Sequence, residues 1–301
     1  MSHTEPSNKV IHLAHRLEKR RKAGRENNWT RKGSTRVIAI TSGKGGVGKT
    51  NIVANLGYAF SQQGKKVLIL DADVGLGNLD VLLGMAPKYN LSHAIMGEKS
   101  LKEIIVTGPG NMQILPASSG IQELTSLSQN QKIKLLTEID ELINSVDILL
   151  IDTAAGISSN VMDFSVSAHE IIVVVSPEPT SITDAYALMK VLSLKYSEKR
   201  CYLLTNLVVN AQEGKEVYRQ LDLVTSKFLD INIDYLGCVA FDEKVPHCLK
   251  NQKIVCELYP EAEASRCYSM LVRKISSRPP MKLPDGNTNL FWHHLVQDRV
   301  V

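Results

Sequence analysis

The hydrophobic positions in the central part of the chain fall into short β-branched runs that alternate with longer stretches at helical spacing. Several runs lack polar alternation, which is typical of strands covered on both faces. The strand-like runs are Val37–Thr41, Lys66–Asp71, Met112–Pro116, Val146–Asp152, Glu170–Ser176, Cys201–Asn206 and Asp234–Val239. The helical stretches lie near residues 50–63, 129–144, 159–168, 181–196, 214–228, 245–251 and 262–276. This alternation predicts an α/β fold with a single doubly wound, mostly parallel sheet of seven to eight strands flanked by helices.

The two ends of the chain differ from this central domain, which we place at residues 36–278. Residues 1–35 combine a short apolar stripe with many basic side chains, which predicts a short amphipathic helix in a basic N-terminal extension. A solvated tail, a partner site and a site for anionic lipid are the alternatives for this extension. Residues 279–301 form a Pro/Gly linker and an amphipathic aromatic tail. For the tail, packing onto the domain, membrane contact and partner docking stay open.

The net charge of +4 is concentrated in the N-terminal extension. Residues 1–36 carry ten Lys or Arg against three Asp or Glu, which leaves 25 basic and 28 acidic residues in the remainder. Residues 37–301 thus have a net charge of −3, which does not favour binding to the negatively charged phosphates of DNA. We therefore expect no direct sequence-specific DNA binding.

The composition favours a cytoplasmic protein, with peripheral contact at the inner face of the membrane or at the cell pole as the alternative that the two ends leave open. No apolar run reaches the roughly 18 residues of a membrane span, and the polar, basic start is unlike a signal peptide. The five cysteines are widely spaced and form no Cys-x-x-Cys pair, which argues against a zinc site, an iron–sulfur cluster or a disulfide framework.

A glycine-rich segment follows the first predicted strand and precedes the first predicted helix. It reads Ser42-Gly43-Lys44-Gly45-Gly46-Val47-Gly48-Lys49-Thr50 and contains the Gly-x-x-x-x-Gly-Lys-Thr pattern. Glycines let backbone N–H groups converge on phosphate oxygens, and the helix start adds its positive dipole end. Lys49 is expected to bridge the β- and γ-phosphates, and the Thr50 hydroxyl is expected to bind Mg²⁺. The residues that we assign to ATP binding in this segment are Gly43, Lys44, Gly45, Gly46, Val47, Gly48, Lys49, Thr50 and Asn51.

Carboxylates end two further predicted strands. Asp71 and Asp73 follow the second strand, and Asp152 ends the apolar run that starts at Val146. The carboxyl ends of parallel strands form the edge where such sheets bind ligands. An apolar run that ends in Asp before a Gly-containing turn has the form of a Walker B motif, so Asp152 is expected to hold Mg²⁺. Asp71 and Asp73 alternate along the chain, which predicts different jobs for their side chains.

Lys44 is a second lysine that an ordinary P-loop does not need. In the run Lys44–Thr50 it resembles the signature lysine of the deviant Walker A ATPases, the MinD, ParA and nitrogenase iron protein group. The resemblance covers about residues 36–278. It implies a MinD-like P-loop NTPase that forms a homodimer on ATP and uses slow, Mg-dependent ATP hydrolysis as a switch.

This resemblance also implies roles for individual residues. Lys44 would reach the phosphates of the partner subunit, much as an arginine finger does. Asp73 would orient the attacking water, and Asp71 would lie close to the Mg²⁺ shell. Asn206 stands where the family keeps an asparagine that reads adenine, with helix or turn capping as the alternative. By the same analogy, Phe241 and Asp242 would neighbour the base.

Within this group, the features of the chain favour one branch. Iron–sulfur functions would need thiolates that residues 1–200 lack, and the acidic body disfavours a ParA-type DNA-partitioning ATPase. Asn78–Gly84, Pro116–Gly120 and Glu178–Ala187 are similar to the FlhG family, called FleN in polar-flagellate bacteria. This resemblance implies a regulator of flagellar number and placement that restrains the flagellar master transcription activator, of FleQ type, and acts with the GTPase FlhF.

Two points limit this assignment. The N-terminal motif of the family begins Asp-Gln-Ala and ends Leu-Arg, whereas this chain has Val10–Lys19 in its place, which leaves GTPase activation by the extension open. A MinD-type ATPase for the division site or another polar system, and a ParA-type partitioning ATPase, remain the alternative functions.

Overall fold

An eight-stranded sheet is the centre of the computed structural model, which describes residues 35–73, 79–116 and 137–279. The strands are β1 (Arg36–Ser42), β2 (Val67–Ala72), β3 (Val106–Thr107), β4 (Gln113–Pro116), β5 (Ile148–Ala155), β6 (Glu170–Val175), β7 (Arg200–Val208) and β8 (Asn232–Ala240). Their order is β3-β4-β2-β5-β1-β6-β7-β8. The pairs are parallel except that of β3 with β4.

Parallel neighbours need crossover connections, and helices supply most of them. The longer helices are α1 (Lys49–Gln62), α6 (Ser159–Val166), α7 (Pro179–Tyr196), α8 (Ala211–Phe228) and α11 (Glu263–Ser276). The shorter helices are α2 (Leu79–Leu82), α3 (Leu91–Ile95), α4 (Leu101–Ile104), α9 (Lys244–Lys250) and α10 (Val255–Leu258). The described part of α5 covers residues 137–143.

Both faces of the sheet are covered. Successive side chains of a strand point to opposite faces, so Ile38 and Ile40 of β1 pack in the layer that contains α1 and α11. Val37 and Ala39 pack on the other face, in the layer that contains α5. Helices α6, α7 and α8 cover β6 and β7 on that second face. This double coverage is the physical reason for the apolar runs in the sequence.

The predicted fold class is confirmed, with differences at short elements. The two-residue β3 was not predicted, because two residues carry no periodic signal. The helices α2, α3, α4 and α10 were not predicted either, because stretches of four or five residues are too short to show helical periodicity. Helices α7 and α8 begin at Pro179 and Ala211, earlier than the predicted 181 and 214. Pro179 suits the first turn, and the Asn210 side chain caps α8 by accepting the N–H groups of Gln212 and Glu213.

Some predictions concern residues outside the described part of the chain. These are the N-terminal extension, the tail beyond residue 279, the first part of the predicted helix at 129–144, residue 78 of the Asn78–Gly84 stretch and residues 117–120 of the Pro116–Gly120 stretch. The division of the chain into three segments therefore stays a prediction. Among the described residues, none of the helices combines the length and the apolar character that a membrane span requires.

Candidate nucleotide-binding site

The P-loop joins β1 to α1 at the edge where the parallel strands end. Close contacts make glycine necessary at two of its positions. A Cβ atom on Gly43 would lie 2.2 Å from the backbone oxygen of Asp184 in α7. Gly48 has a φ of +86°, and a Cβ atom there would lie 2.5 Å from Nδ2 of Asn206. The loop is thus packed directly against α7 on one side and against β7 on the other.

Lys49 is the buried cation of the loop. Its Nζ donates to Oδ1 of Asp152 at 3.0 Å, and the two side chains are 8% and 1% exposed. Burial raises the pKa of Asp152, while the Lys49 ammonium and a hydrogen bond from Thr50 favour the charged form. The structure therefore brings together Lys49 and Thr50, at the start of α1, with Asp152 of β5, all of which the sequence assigned to phosphate or Mg²⁺ binding.

Asp71 is the neighbour of Asp152 across the sheet. The two residues are register partners of the parallel pair β2–β5, and Asp71 is 4% exposed. Burial and then repulsion from Asp152 raise the pKa of Asp71 to about 7, although backbone N–H groups of Asp73 and Leu79 favour its charged form. The Asp73 N–H donates to Asp71 Oδ1 at 3.3 Å. Asp71 and Asp152 thus place two carboxyl groups side by side in a buried position, and Lys49 contacts the second of them.

Asp73 follows the end of β2 and is half-buried. It is the last described residue before position 79, and residues 74–78 lie outside the described part of the chain. Its position after the strand end agrees with the expectation from the sequence. Its role in orienting water stays a prediction.

Asn206 of β7 makes a hydrogen bond to the P-loop. Its Nδ2 donates to the backbone oxygen of Val47 at 2.8 Å, and the residue is 4% exposed. This bond ties β7 to the P-loop, so the amide has a structural role. Adenine recognition by its remaining oxygen stays a prediction.

For Phe241, Asp242 and Asn51, the structure describes contacts with other parts of the protein. The Phe241 N–H donates to the Val208 oxygen at 2.8 Å, and its side chain is 55% exposed after the end of β8. The Asp242 carboxylate accepts the N–H of Lys244 at 2.9 Å and that of Ala264 at 3.2 Å, which caps the starts of α9 and α11. Asn51 Oδ1 accepts from Asn55 Nδ2 at 2.6 Å within α1. A role in nucleotide binding stays a prediction for all three.

Lys44 lies on the accessible side of the loop. Its Nζ donates to Oε2 of Glu178 at 2.5 Å and to the Thr180 hydroxyl at 2.9 Å, both at the start of α7. The Lys44 side chain is 36% exposed and that of Glu178 is 61% exposed. The Ser42 hydroxyl donates to the Lys44 carbonyl oxygen at 3.0 Å and so fixes the backbone from which this lysine projects.

Sequence reasoning did not predict the contacts of the loop with α7. Glu178, Thr180 and the backbone of Asp184 meet the first half of the P-loop, although more than 130 residues separate Lys44 from Glu178. The run Glu178-Pro179-Thr180 signals a helix start, because Pro suits the first turn. That signal gives no indication of which residue the helix start would contact.

The chain is similar in sequence and in fold to known proteins, one of which was solved with Mg-ADP. Residues 35–203 match the AAA domain family. Antiactivator FleN of Pseudomonas aeruginosa is 41% identical over 261 residues, which make up 87% of this chain and 93% of FleN. The flagellum site-determining protein YlxH of Helicobacter pylori is 33% identical over 271 residues, 88% of this chain and 91% of YlxH. The solved structure of septum site-determining protein MinD complexed with Mg-ADP, from Pyrococcus horikoshii, is similar with a TM-score of 0.64 at 25% identity, over 81% of this chain and 96% of that one.

Proposed function

We propose that this chain, which belongs to the MinD/ParA family of P-loop ATPases, is an ATP-dependent switch that regulates the number and placement of flagella. Membership of the family makes it an ATP hydrolase. The flagellar role is supported by the similarity to FleN, an antiactivator, and to YlxH, a flagellum site-determining protein, along nearly the whole length of both. This similarity is the observation that carries the proposal.

The donor set at the strand ends suits a Mg²⁺–nucleotide. Mg²⁺ takes oxygen ligands, commonly one or two carboxylates together with substrate phosphates. Thr50, Asp152 and Asp71 offer such oxygens, and a divalent cation would relieve the repulsion that contributes to the raised Asp71 pKa. When bound, Mg²⁺ would neutralise charge on the phosphates. Lys49, which follows the loop as the first residue of α1, would bind the β- and γ-phosphates.

Two residues are assigned to turnover within an ATP-dependent homodimer. Lys44 acts on the phosphates of the partner subunit, and Asp73 orients the attacking water. The exposure of Lys44 supports the first role, because a side chain that serves another subunit has to be accessible at the surface. The position of Asp73 after the end of β2, two residues from buried Asp71, supports the second.

Two partners follow from the flagellar role. The ATP-bound dimer restrains the flagellar master transcription activator, of FleQ type, in line with the description of FleN as an antiactivator. The GTPase FlhF is the second partner, and it is supported by the family resemblance alone. Contact with the membrane or the cell pole would involve the N-terminal extension or the C-terminal tail, both outside the described residues.

Replacing the gene in its flagellated host by a Lys49→Ala variant tests this function. We expect more flagella per cell, as in a deletion strain, because the variant does not retain nucleotide. Lys102→Ala is the matched control, since Lys102 lies on the surface with its Nζ 3.9 Å from Glu141, and it should give the wild-type number. Unchanged flagella would refute the proposal. Misplaced septa would then indicate division-site positioning, and salt-sensitive, ATP-dependent DNA binding would indicate partitioning.

A pulldown with purified protein tests the partners separately. The activator and FlhF should be retained by wild-type protein with ATP and Mg²⁺ but not by the Lys49→Ala variant. Retention that is equal with and without ATP would contradict the role of a switch.

A further inference from the structure

Helix α9 and the turn after it carry a cluster of exposed cations. Lys244, His247 and Lys250 follow one another at three-residue spacing, so they are neighbours on the helix surface. Lys253 follows just after the helix, where its N–H donates to the Cys248 oxygen at 3.0 Å. These basic residues are exposed, and residues 244–256 contain no Asp or Glu. None of the ion pairs between described residues includes a lysine of this cluster.

Apolar side chains adjoin these cations. Leu249 of α9 is 39% exposed, and Val81 of α2 is 59% exposed. Gln252 lies between them, because its N–H donates to the Leu249 oxygen at 3.0 Å and its Nε2 donates to the Val81 oxygen at 3.2 Å. We call the surface that these cationic and apolar residues form the α9 surface. It comprises Val81, Lys244, His247, Leu249, Lys250, Gln252 and Lys253.

Helix α2 connects the α9 surface to the nucleotide site. The Asp71 carboxylate accepts the N–H of Leu79, the first residue of α2. Further along α2, the Val81 oxygen accepts the Gln252 side chain. A Cβ atom on Gly84 would lie 3.1 Å from the Gln252 Cβ, so the turn after α9 packs closely on the chain that follows α2. A change at Asp71 on nucleotide binding therefore acts on an element that forms part of the α9 surface.

A second connection runs through α1. Asn55 is fully buried, and its Nδ2 donates to the Asn51 Oδ1 at 2.6 Å. The Asn55 Oδ1 accepts the N–H of Cys256 at 3.1 Å. Cys256 belongs to α10, which follows α9 after a short turn. The helices α9 and α10 are thus bonded to the first turn of the helix that begins at the P-loop.

The chemistry of the α9 surface fits an acidic, amphipathic segment of a partner protein. Carboxylates of such a segment would pair with Lys250 and Lys253, and its apolar side chains would cover Leu249 and Val81. DNA is a poorer match, because phosphates do not cover apolar side chains and the net charge of −3 over residues 37–301 opposes a polyanion.

We propose that the α9 surface docks an acidic, amphipathic segment of the transcription activator, and that the Gln252–Val81 contact makes this docking depend on the bound nucleotide. The inference rests on the proposed function for the identity of the partner. It adds the place on this chain where the partner binds and the chemistry that the partner has to present.

Charge reversal in the full-length Lys250→Glu/Lys253→Glu variant tests the docking. Titration calorimetry with purified activator, at saturating ATP and Mg²⁺, should give a Kd roughly tenfold higher than for wild type. Added salt should weaken binding of wild type more steeply than binding of the variant, because salt screens an attraction that the variant lacks. ATP turnover and the urea midpoint should match wild type, which shows that the variant is folded. Lys250→Arg/Lys253→Arg should bind the activator like wild type.

The matched control is Lys65→Glu/Lys66→Glu. These lysines are exposed and precede β2, at the sheet end opposite the P-loop, and the change in net charge is the same. This control should bind the activator like wild type. Equal weakening in both double variants would reduce the effect to net charge and overturn the inference.

The remaining outcomes separate the inference from the proposed function. Wild-type affinity in Lys250→Glu/Lys253→Glu would overturn the docking surface and leave the partner intact. A wild-type protein that binds no activator with ATP would refute the partner, and the inference with it. A DNA duplex that wild type binds with ATP and Lys250→Glu/Lys253→Glu does not would assign the surface to nucleic acid and overturn the inference.

The Gln252→Asn variant tests the dependence on nucleotide. Gln252 has a φ of +53°, which Asn tolerates, but the Asn side chain is one methylene shorter and does not reach the Val81 oxygen. The ratio of the activator Kd with ADP to that with ATP should fall at least about threefold towards 1, while the affinity for ATP alone stays that of wild type. An unchanged ratio would overturn the role of the Gln252–Val81 contact.

Discussion

Replacing Lys49 by Met is expected to destabilise the protein, without nucleotide and at pH 8, by about 3–5 kcal/mol. The Lys49 Nζ lies 3.0 Å from Asp152 Oδ1, and the two side chains are 8% and 1% exposed. Met keeps a long unbranched side chain, so the substitution removes the counter-ion with little loss of packing. A buried carboxylate is then left without its cation, which costs more than the pair itself contributes.

The size of this loss depends on pH, because Asp152 can take up a proton. Burial already raises the pKa of Asp152 above 3.8, and the loss of Lys49 raises it further. In the unfolded chain the carboxyl ionises near its ordinary pKa, whereas in the folded variant it stays protonated to higher pH. The folded variant therefore binds more protons than the unfolded chain in this interval, so its stability falls as pH rises. The destabilisation should be largest at pH 8 and smaller near pH 5.

Urea unfolding at the two pH values measures the effect. Lys102→Met is the control, because Lys102 is 77% exposed, and it should stay within about 0.5 kcal/mol of wild type. The double variant Lys49→Met/Asp152→Leu should be more stable than Lys49→Met alone, since it removes the Asp152 carboxylate that has lost its counter-ion. Equal urea midpoints for wild type and Lys49→Met at pH 8, or a loss that does not change with pH, would refute the reasoning.

Three further predictions concern other positions of the site. Asp71→Asn should reduce the fall in wild-type stability between about pH 4 and 7, because the pKa of Asp71 is about 7 in the folded protein against 3.8 for the free group, so the unfolded chain binds fewer protons there. The part of the fall that Asp152 causes should remain. Urea unfolding at pH 8 should find the Asp71→Asn variant more stable by up to about 4 kcal/mol. Asp73→Ala should bind ATP and accumulate as a dimer without hydrolysing it, and a monomer at saturating ATP in sizing measurements would contradict the dimer. Gly43→Ala should lose nucleotide binding in equilibrium dialysis, because its Cβ would lie 2.2 Å from the Asp184 oxygen; wild-type affinity would show that the loop and α7 can separate.

The fold could be predicted from sequence where strands are covered on both faces. In β1 and β5 nearly every residue is buried, so the apolar run itself marks the strand. The edge partner β3 has two residues, of which one is half-buried and one exposed, and no pattern distinguishes such a pair from a loop. Sequence periodicity reports burial, and an element too short to be buried leaves no periodic signal.

For the candidate site, what could be predicted depends on whether the residues involved lie in one short segment or meet through tertiary packing. The loop from Gly43 to Thr50 could be predicted because its chemistry lies within one short segment. Lys49 and Asp152 could each be assigned to the site from their motifs, whereas their contact is a finding of the structure, in which β1 and β5 are parallel neighbours whose carboxyl ends meet. The Lys44–Glu178 contact could not be predicted, because it depends on how closely Gly43 packs on α7, and that distance is a property of tertiary packing.

The two lysines of the P-loop are held by carboxylates of different accessibility, and this difference separates their roles. The Lys49–Asp152 pair is buried, so neither charge can be left without a partner, and Lys49 can exchange Asp152 only for another anion delivered into the same place. The Lys44–Glu178 pair is exposed, so water can replace either partner at small cost. A nucleotide bound by the same subunit would deliver an anion to buried Lys49. The phosphates of a second subunit would reach exposed Lys44 from outside. The burial of each pair therefore supports the proposed roles, in which Lys49 retains nucleotide within a subunit and Lys44 serves the phosphates of a second subunit.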